Sequence, residues 1–568
     1  MRLAVKGAVL ALSMVCASGA AGERLEMGVA GAYLAARQAA ADNDYAAAAK
    51  YYRQALARDN ANHAHMENAL SAHLAMAQFA PASALGAKML ETGSPSQVAH
   101  MTVVVDEALR GDFDAMIASF EDGTRVGPLV DSLLHGWALI GANRMEDGLA
   151  AFDAVAERDG LRPFALHHKA LALAYMGDFA GAEEILSGRA AGAIPDNRRG
   201  LITRAMVLSQ LGENDLARAE IARVVGPALD ATLADLDRRL AAGEALAFTE
   251  VSQPAHGMAE VFYTVAAALD GEAADSYALL YSRLAETLNP AHIDALMLSA
   301  DYLERLDRPG LATATYDRVP QSAPEFITAE IGRANALYTA ERGEAAVEAL
   351  RQLSKSHPDI STIRIKLGDT LRRLERYGEA AKAYTNGLSL IDPVDDRHWF
   401  TFFARGISHE REGNWDAAES DFRRALEMRP NQPQVLNYLG YSLVEKNLKL
   451  GEALEMIETA AELRPDNGHI LDSLGWVLYR LGRYDEAVAP MEAAVELMAT
   501  DPIINDHLGD VYWSVGRRTE AHFQWQRALS FGPDEEEAER IRRKLELGLD
   551  VVLEEEGLTR IELANDEG

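Results

Sequence analysis

Asn437, Asp472 and Asp506 recur 35 and 34 residues apart, each three positions before a glycine: Gly440, Gly475 and Gly509. Aromatic residues follow in the same stretches, Tyr441, Trp476 with Tyr479, and Trp513. Carboxamides and carboxylates repeated at one position can hold an extended peptide by its backbone amides, and aromatic rings accept its side chains. Other candidate chemistry is thin. His63 and His65 are close and His167 and His168 are adjacent, but neither pair has cysteines or carboxylates at metal-ligand spacing. Asp506-His507 has no nucleophile beside it. The sequence contains no glycine-rich phosphate loop, no His-Glu-x-x-His and no nucleophile elbow. No cofactor, metal or catalytic residue is expected, and the chain reads as a non-enzyme.

The elements that position these residues are written three times between Asn437 and Pro533. The copies begin Asn437-Tyr438-Leu439-Gly440-Tyr441, Asp472-Ser473-Leu474-Gly475-Trp476 and Asp506-His507-Leu508-Gly509-Asp510, and carry Ala453, Ala487 and Ala521 further on. A later alanine (Ala460, Ala494, Ala528) and a closing proline (Pro465, Pro502, Pro533) complete each copy. This pattern resembles the tetratricopeptide repeat, a helix pair whose small residues let the two backbones approach. Gly482 suits the turn between helices, where a residue without Cβ costs least. One pair cannot bury its apolar face, so pairs stack. The expected fold is therefore all-α, a right-handed superhelical solenoid of antiparallel helix pairs with about a dozen repeats in one array or two.

Composition agrees with an array rather than several globular cores. The 568 residues carry a formal net charge of −32 and only 7% aromatics. So acidic a chain, with no basic stretch interleaved with aromatics, argues against nucleic acid as the main partner. At the N-terminus, Arg2 and Lys6 precede an apolar run from Ala8 to Ala17 and a small-residue region Ser18-Gly19-Ala20-Ala21. This order is that of a secretory signal peptide over residues 1–21, which places the protein in the periplasm. The apolar run is too short to span a bilayer. The single cysteine, Cys16, lacks the leucine and small residue of a lipobox, having Ser13 and Val15 there instead. Membrane attachment is expected only if Cys16 is lipidated.

Along the chain, residues 29–225 read as a degenerate repeat array, with Asn43-Asp44-Tyr45, Gly111-Asp112-Phe113 and Gly177-Asp178-Phe179 in turn positions. The pattern fails over residues 226–256, a linker between arrays or a kink in one. It resumes over 257–533, with an inserted loop from Ile391 to Arg397. Residues 534–568 read as a capping helix, Glu535 to Leu547, followed by an acidic tail.

The C-terminal half resembles a family of envelope tetratricopeptide proteins of Gram-negative bacteria. His398-Trp399, Leu436 to Tyr441, Leu471 to Trp476 with Leu478 to Gly482, and Ile504 to Asp510 carry the resemblance. A lipoprotein in that wider group is an adaptor for a carboxyl-terminal-processing protease that degrades cell-wall hydrolases. The resemblance implies a non-catalytic scaffold with a protein partner, a protease or cell-wall enzyme. The alternative is a structural component of a polysaccharide export or outer-membrane assembly complex. In such solenoids the first helix of each repeat lines a concave groove. Carrying those positions over selects Phe400, Phe403, Ile407 and Arg411, then Asn437, Tyr441 and Glu445, then Asp472, Trp476, Tyr479 and Arg480, and last Asp506, Asp510 and Trp513. Of these, Phe400, Phe403, Asn437, Tyr441, Asp472, Trp476, Tyr479, Asp506 and Trp513 are taken as the partner-binding groove. The same aromatic spacing also suits packing, and for Trp476 and Tyr479 the two roles stand equal.

Overall fold

The computed structural model describes residues 29–121, 126–189 and 197–557. The signal-peptide region with Cys16 and the acidic end, residues 558–568, lie outside the described residues. Among the described residues every regular element is helical, 31 α-helices and one 3-10 turn at Asp396–His398, and there is no strand. Helices consecutive in the chain pack against one another as pairs, and the fold is an all-α solenoid of helix pairs.

The sequence period is visible in each joint. In successive repeats the residue between the two helices takes a left-handed conformation: Gly413 at φ 75°, Asn447 at 53°, Gly482 at 74° and Gly516 at 80°. The glycines of the Leu-Gly pairs stand where the paired helices touch. A Cβ at Gly440 would meet Ile457 Cγ1 at 2.7 Å, one at Gly475 would meet Met491 Cγ at 2.4 Å, and one at Gly509 would meet the Trp525 indole at 2.4 Å. Ala453, Ala487 and Ala521 are fully buried on the opposing helices. Pro502 opens helix Pro502–Ser514 rather than closing the helix before it, where the first turn has no use for its missing N–H.

The chain divides into two compact units, Met1–Ala349 and Leu350–Gly568. In the first, the irregular stretch holds one helix, Ala231–Ala241, and then non-helical residues 244–253. It lies inside this unit, and the chain beyond it packs back on earlier helices. Gly257 sits against Trp137, where a Cβ would lie 2.3 Å from the indole. Helix Asp275–Leu288 inserts between earlier helices, and the Arg283 guanidinium donates to the carbonyl of Ala75 at 3.1 Å while the Tyr277 hydroxyl donates to Gln97 at 2.8 Å. Leu279, Leu280, Leu284, Ala285 and Leu288 are buried on its several sides, which is why it can run through the interior.

A buried ionic network fixes the return. Arg199 pairs with Glu250 of the irregular stretch at 3.1 Å, with Asp294 at 3.0 Å and with Glu260, while His292 lies 3.2 Å from Glu260. Burial pushes Glu250 up to about 7 against the pull of Arg199, and Glu260 adds to the rise. His167 and His168 are buried in the same unit, and burial pushes both down, to about 4 and about 3. The Trp137 indole donates to His168 Nδ1 at 3.1 Å, which makes His168 a neutral core acceptor rather than a metal ligand.

In the second unit, Asp392-Pro393 is a cis peptide in the loop between helices Tyr377–Leu388 and Trp399–Arg411, where the inserted loop was expected. The capping helix spans Glu535–Leu547, as read from the sequence, and a further helix, Leu549–Glu555, replaces the first part of the expected tail.

Candidate functional site: the shared face of the first helices

The candidate residues lie on helices Trp399–Arg411, Pro433–Glu445, Gly468–Arg480 and Pro502–Ser514, the first helices of four successive repeats. The structure gives them five different situations. Phe403 is buried and packs on Phe422 and Tyr438, with ring centroids 5.9 and 5.7 Å away, so it is core. Phe400 is exposed, edge-on to Trp399 at 5.6 Å.

Asn437, Tyr441 and Asp472 come together in one open cleft of about 440 Å³, with Glu410, Glu445 and His469. Asn437 Oδ1 is shielded from solvent and has no hydrogen-bond partner. Burial raises the Tyr441 hydroxyl pKa, and the carboxylates of Glu445 and Asp472 add to the effect. Glu445, one turn beyond Tyr441 on the same helix, was among the positions selected from sequence; Glu410, next to the selected Arg411 on the preceding first helix, was not.

Tyr479 is buried and Trp476 half-buried, both held by neighbouring side chains. The Trp476 indole lies between Tyr479 and His507, with centroids 4.9 and 4.0 Å away and planes within about 16° of parallel, and its N–H donates to Glu445 at 2.8 Å. Tyr479 is 8% exposed and also contacts Tyr484. His507 Nδ1 is 2.9 Å from Asp472 Oδ1. Burial opposes a charge on His507, but Asp472, with Asp506 and Asp510, wins and raises its pKa above the ordinary 6.5.

Asp506 and Trp513, expected to face the groove, are instead covered by the terminal helices. Lys544 of helix Glu535–Leu547 is fully buried, with Nζ 2.7 Å from Asp506 Oδ2 and 2.7 and 2.8 Å from the two oxygens of Asp510. Arg540, one turn earlier, stands 3.8 Å from both carboxylates. Trp513 donates to Asp550 at 3.1 Å and is stacked over by Arg518 at 4.4 Å. Ala538, Ile541 and Lys544 share the helix's buried stripe. A lysine in an apolar stripe is the sequence signal that was missed, and it marks a buried counter-charge.

Among the described residues no group of three or more histidine, cysteine or acidic side chains is arranged to hold a metal, and no helix is long and apolar enough to cross a membrane. The face offers acceptors, aromatic surface and shape, which is the chemistry of holding another chain.

Residues 331–388, 403–449 and 445–502 match the model of the tetratricopeptide repeat family. The TPR repeat-containing protein PA4667 of Pseudomonas aeruginosa is 30% identical over 175 residues, 30% of this chain and 29% of that protein, so the match spans under a third of its length. Among solved structures, the Cut9 chain of the APC/C Cut9–Hcn1 hetero-tetramer is similar over 91% of this chain and 96% of its own, at 15% identity and a TM-score of 0.38. Yeast Tom70 is similar over 94% and 99%, at 16% identity and a TM-score of 0.34. Across residues 331–388 and 403–502 the chain is a tetratricopeptide repeat array.

Proposed function

We propose that the protein is a non-catalytic scaffold or adaptor of the bacterial envelope that binds another protein, a protease or cell-wall enzyme, on the first-helix face of its C-terminal repeats. The observation that carries this reading is the open cleft on the first-helix face, lined by Asn437, Tyr441, Glu445 and Asp472 together with Arg411, Lys446 and His469. The order of basic, apolar and small residues at the N-terminus supports export. The resemblance of the C-terminal half to envelope repeat proteins supports the partner class.

Site-specific photocrosslinking in the native envelope tests it. A photoreactive residue at Tyr441 is expected to capture a discrete protein, and one at Phe523, exposed on helix Arg518–Ser530, is not. Mass spectrometry of the adduct names the partner. Adducts that form equally from both positions, or from neither, would overturn the reading.

A further inference from the structure

In the first unit, helices Arg198–Gln210, Asn214–Val225 and Ala231–Ala241 pack on one another around an apolar core of their own, with Leu208, Ala217, Ile221, Leu236 and Leu240 buried in it. Val207 reaches into the core of the rest of the unit, and ion pairs also cross to it. Arg198 stands 2.6 Å from Asp230, 2.8 Å from Asp294 and 3.5 Å from Glu325. Arg199 donates through Nε to Glu260 at 3.0 Å and through Nη2 to the same carboxylate, while Nη1 donates to Asp294 at 3.0 Å. Glu250, on the non-helical stretch that returns the chain, lies 3.1 Å from that Nη1, yet its Oε1 accepts no hydrogen bond. Two guanidinium groups thus face five carboxylates, Asp230, Glu250, Glu260, Asp294 and Glu325. A cleft of about 280 Å³ runs along this seam, with Ile202, Met206 and Leu236 of the three helices on one side and His292, Ser322 and Pro324 on the other.

The neighbours of Glu250 supply no further cation. His292 accepts the Ala295 N–H at Nδ1, 3.2 Å away, so that nitrogen carries no proton and the ring no charge. Asp235 and Arg239, which also line the cleft, pair with each other at 3.6 Å, and Arg239 pairs with Glu244 at 2.8 Å. Burial holds His167, His256 and Tyr263 toward their neutral forms. The Thr203 hydroxyl locates a proton. Its Oγ1 stands 3.1 Å from the Arg199 carbonyl oxygen and within hydrogen-bond reach of Glu250 Oε2, and one hydroxyl has one proton to give. Both contacts are hydrogen bonds when Glu250 is neutral, its own O–H donating to Thr203 and the Thr203 O–H to the carbonyl.

We propose that the three helices are a pH-gated module, closed on the rest of the unit while Glu250 holds a proton and opened along the cleft when that proton leaves for solvent. An ionised Glu250 is a third carboxylate on Arg199, which Glu260 and Asp294 already occupy, and it is buried there. Burial raises its pKa to about 7 against the pull of Arg199, and Glu260 adds to the rise. The closed form is therefore fully favoured below the ordinary 4.5 and is lost as pH rises through about 7. Opening lets water reach the carboxylate and relieves the conflict.

Spin labels test this on the full-length chain with Cys16→Ser. One sits at Ala219→Cys on helix Asn214–Val225 and one at Ala267→Cys on helix Pro254–Ala268, both exposed positions. At about pH 6 the distance between the labels is expected to be single and narrow. Above about pH 7 a longer distance is expected to grow in, its ratio to the short one rising by up to about tenfold per pH unit. Glu250→Gln is expected to keep the short distance at about pH 6 and about pH 8.5 alike. Hydrogen exchange in residues 214–225 is expected to stay slow throughout, because the module keeps its own core. One unchanged distance in the wild type between the two pH values, or a long distance that persists in Glu250→Gln, would overturn the proposal. Exchange that quickens in residues 214–225 together with the distance would mean that the module unfolds rather than opens, and would overturn it too. Should Glu250→Gln fail to fold, the wild-type distances and exchange still decide.

Discussion

The Trp476 indole and the His507 imidazole lie face to face, centroids 4.0 Å apart and 16° from parallel, across two consecutive repeats. His507 is also tied to Asp472 on the helix that carries Trp476. A polar stack of this kind fixes the register between repeats more narrowly than apolar contact alone, because both a ring plane and a hydrogen bond must fit.

That pair makes the second unit sensitive to pH. The pKa of His507 is raised in the folded chain, so its contribution is fully present below the ordinary value near 6.5 and is lost as pH rises through the folded value. Hydrogen exchange over residues 468–514 is expected to quicken from pH 6 to pH 9 in the wild type more than in His507→Gln, once the intrinsic pH dependence of exchange is removed. Equal slopes would assign the stack no electrostatic role.

Glu250 acts in the first unit with the same sign. Its folded pKa of about 7 lies above the ordinary 4.5, so the stability it allows at low pH falls away as pH rises through about 7. Glu250→Gln stays neutral, and at pH 8 it is expected to exceed the wild type by about 1–3 kcal/mol, with little difference at pH 4.5. Chemical denaturation at the two pH values measures this.

Lys544→Met should be costly despite the hydrophobic replacement, because Asp506 and Asp510 would lose their buried hydrogen-bonded ammonium and keep only Arg540, 3.8 Å away. Breaking a buried pair by removing one partner costs about 3–5 kcal/mol. The loss is expected first as fast exchange in residues 535–555, with the repeats before Pro502 still protected, since a repeat contacts mainly its neighbours.

At the helix crossings, Gly509→Ala is expected to destabilise more than Gly475→Ala. The new methyl meets the rigid indole of Trp525 in one case and the flexible side chain of Met491 in the other. Overpacking costs about 1–3 kcal/mol, with the methionine site at the lower end because thioether chains adapt. Melting temperatures of the two variants give the order directly.

Tyr479→Ala should lower thermal stability by the amount typical of a buried aromatic, about 3–5 kcal/mol. It should leave capture of a partner at Tyr441 intact at temperatures below the melt. A variant that keeps its melting temperature and loses the crosslink would return Tyr479 to the binding surface.

The sequence by itself determined the repeat unit. The recurrence of Gly440, Gly475 and Gly509 with Ala453, Ala487 and Ala521 fixes a helix pair, because only small residues allow the two backbones so close. The turn residue Gly482 and the extent of helix Glu535–Leu547 were legible for the same reason: each depends on neighbours in the chain. Tertiary structure alone decided what each rung of the candidate groove faces. Asn437, Asp472 and Asp506 hold one repeat position, yet one is unpartnered at Oδ1, one is bound by His507 and one is sealed by Lys544. The same holds for residues 226–256, which read as a break because they lack the repeat, while Arg199 and Trp137 draw the chain beyond them back onto earlier helices. A repeat pattern records the contacts that recur in every unit. The fate of a polar side chain depends on the one group that arrives from elsewhere in the fold, and that group has no period.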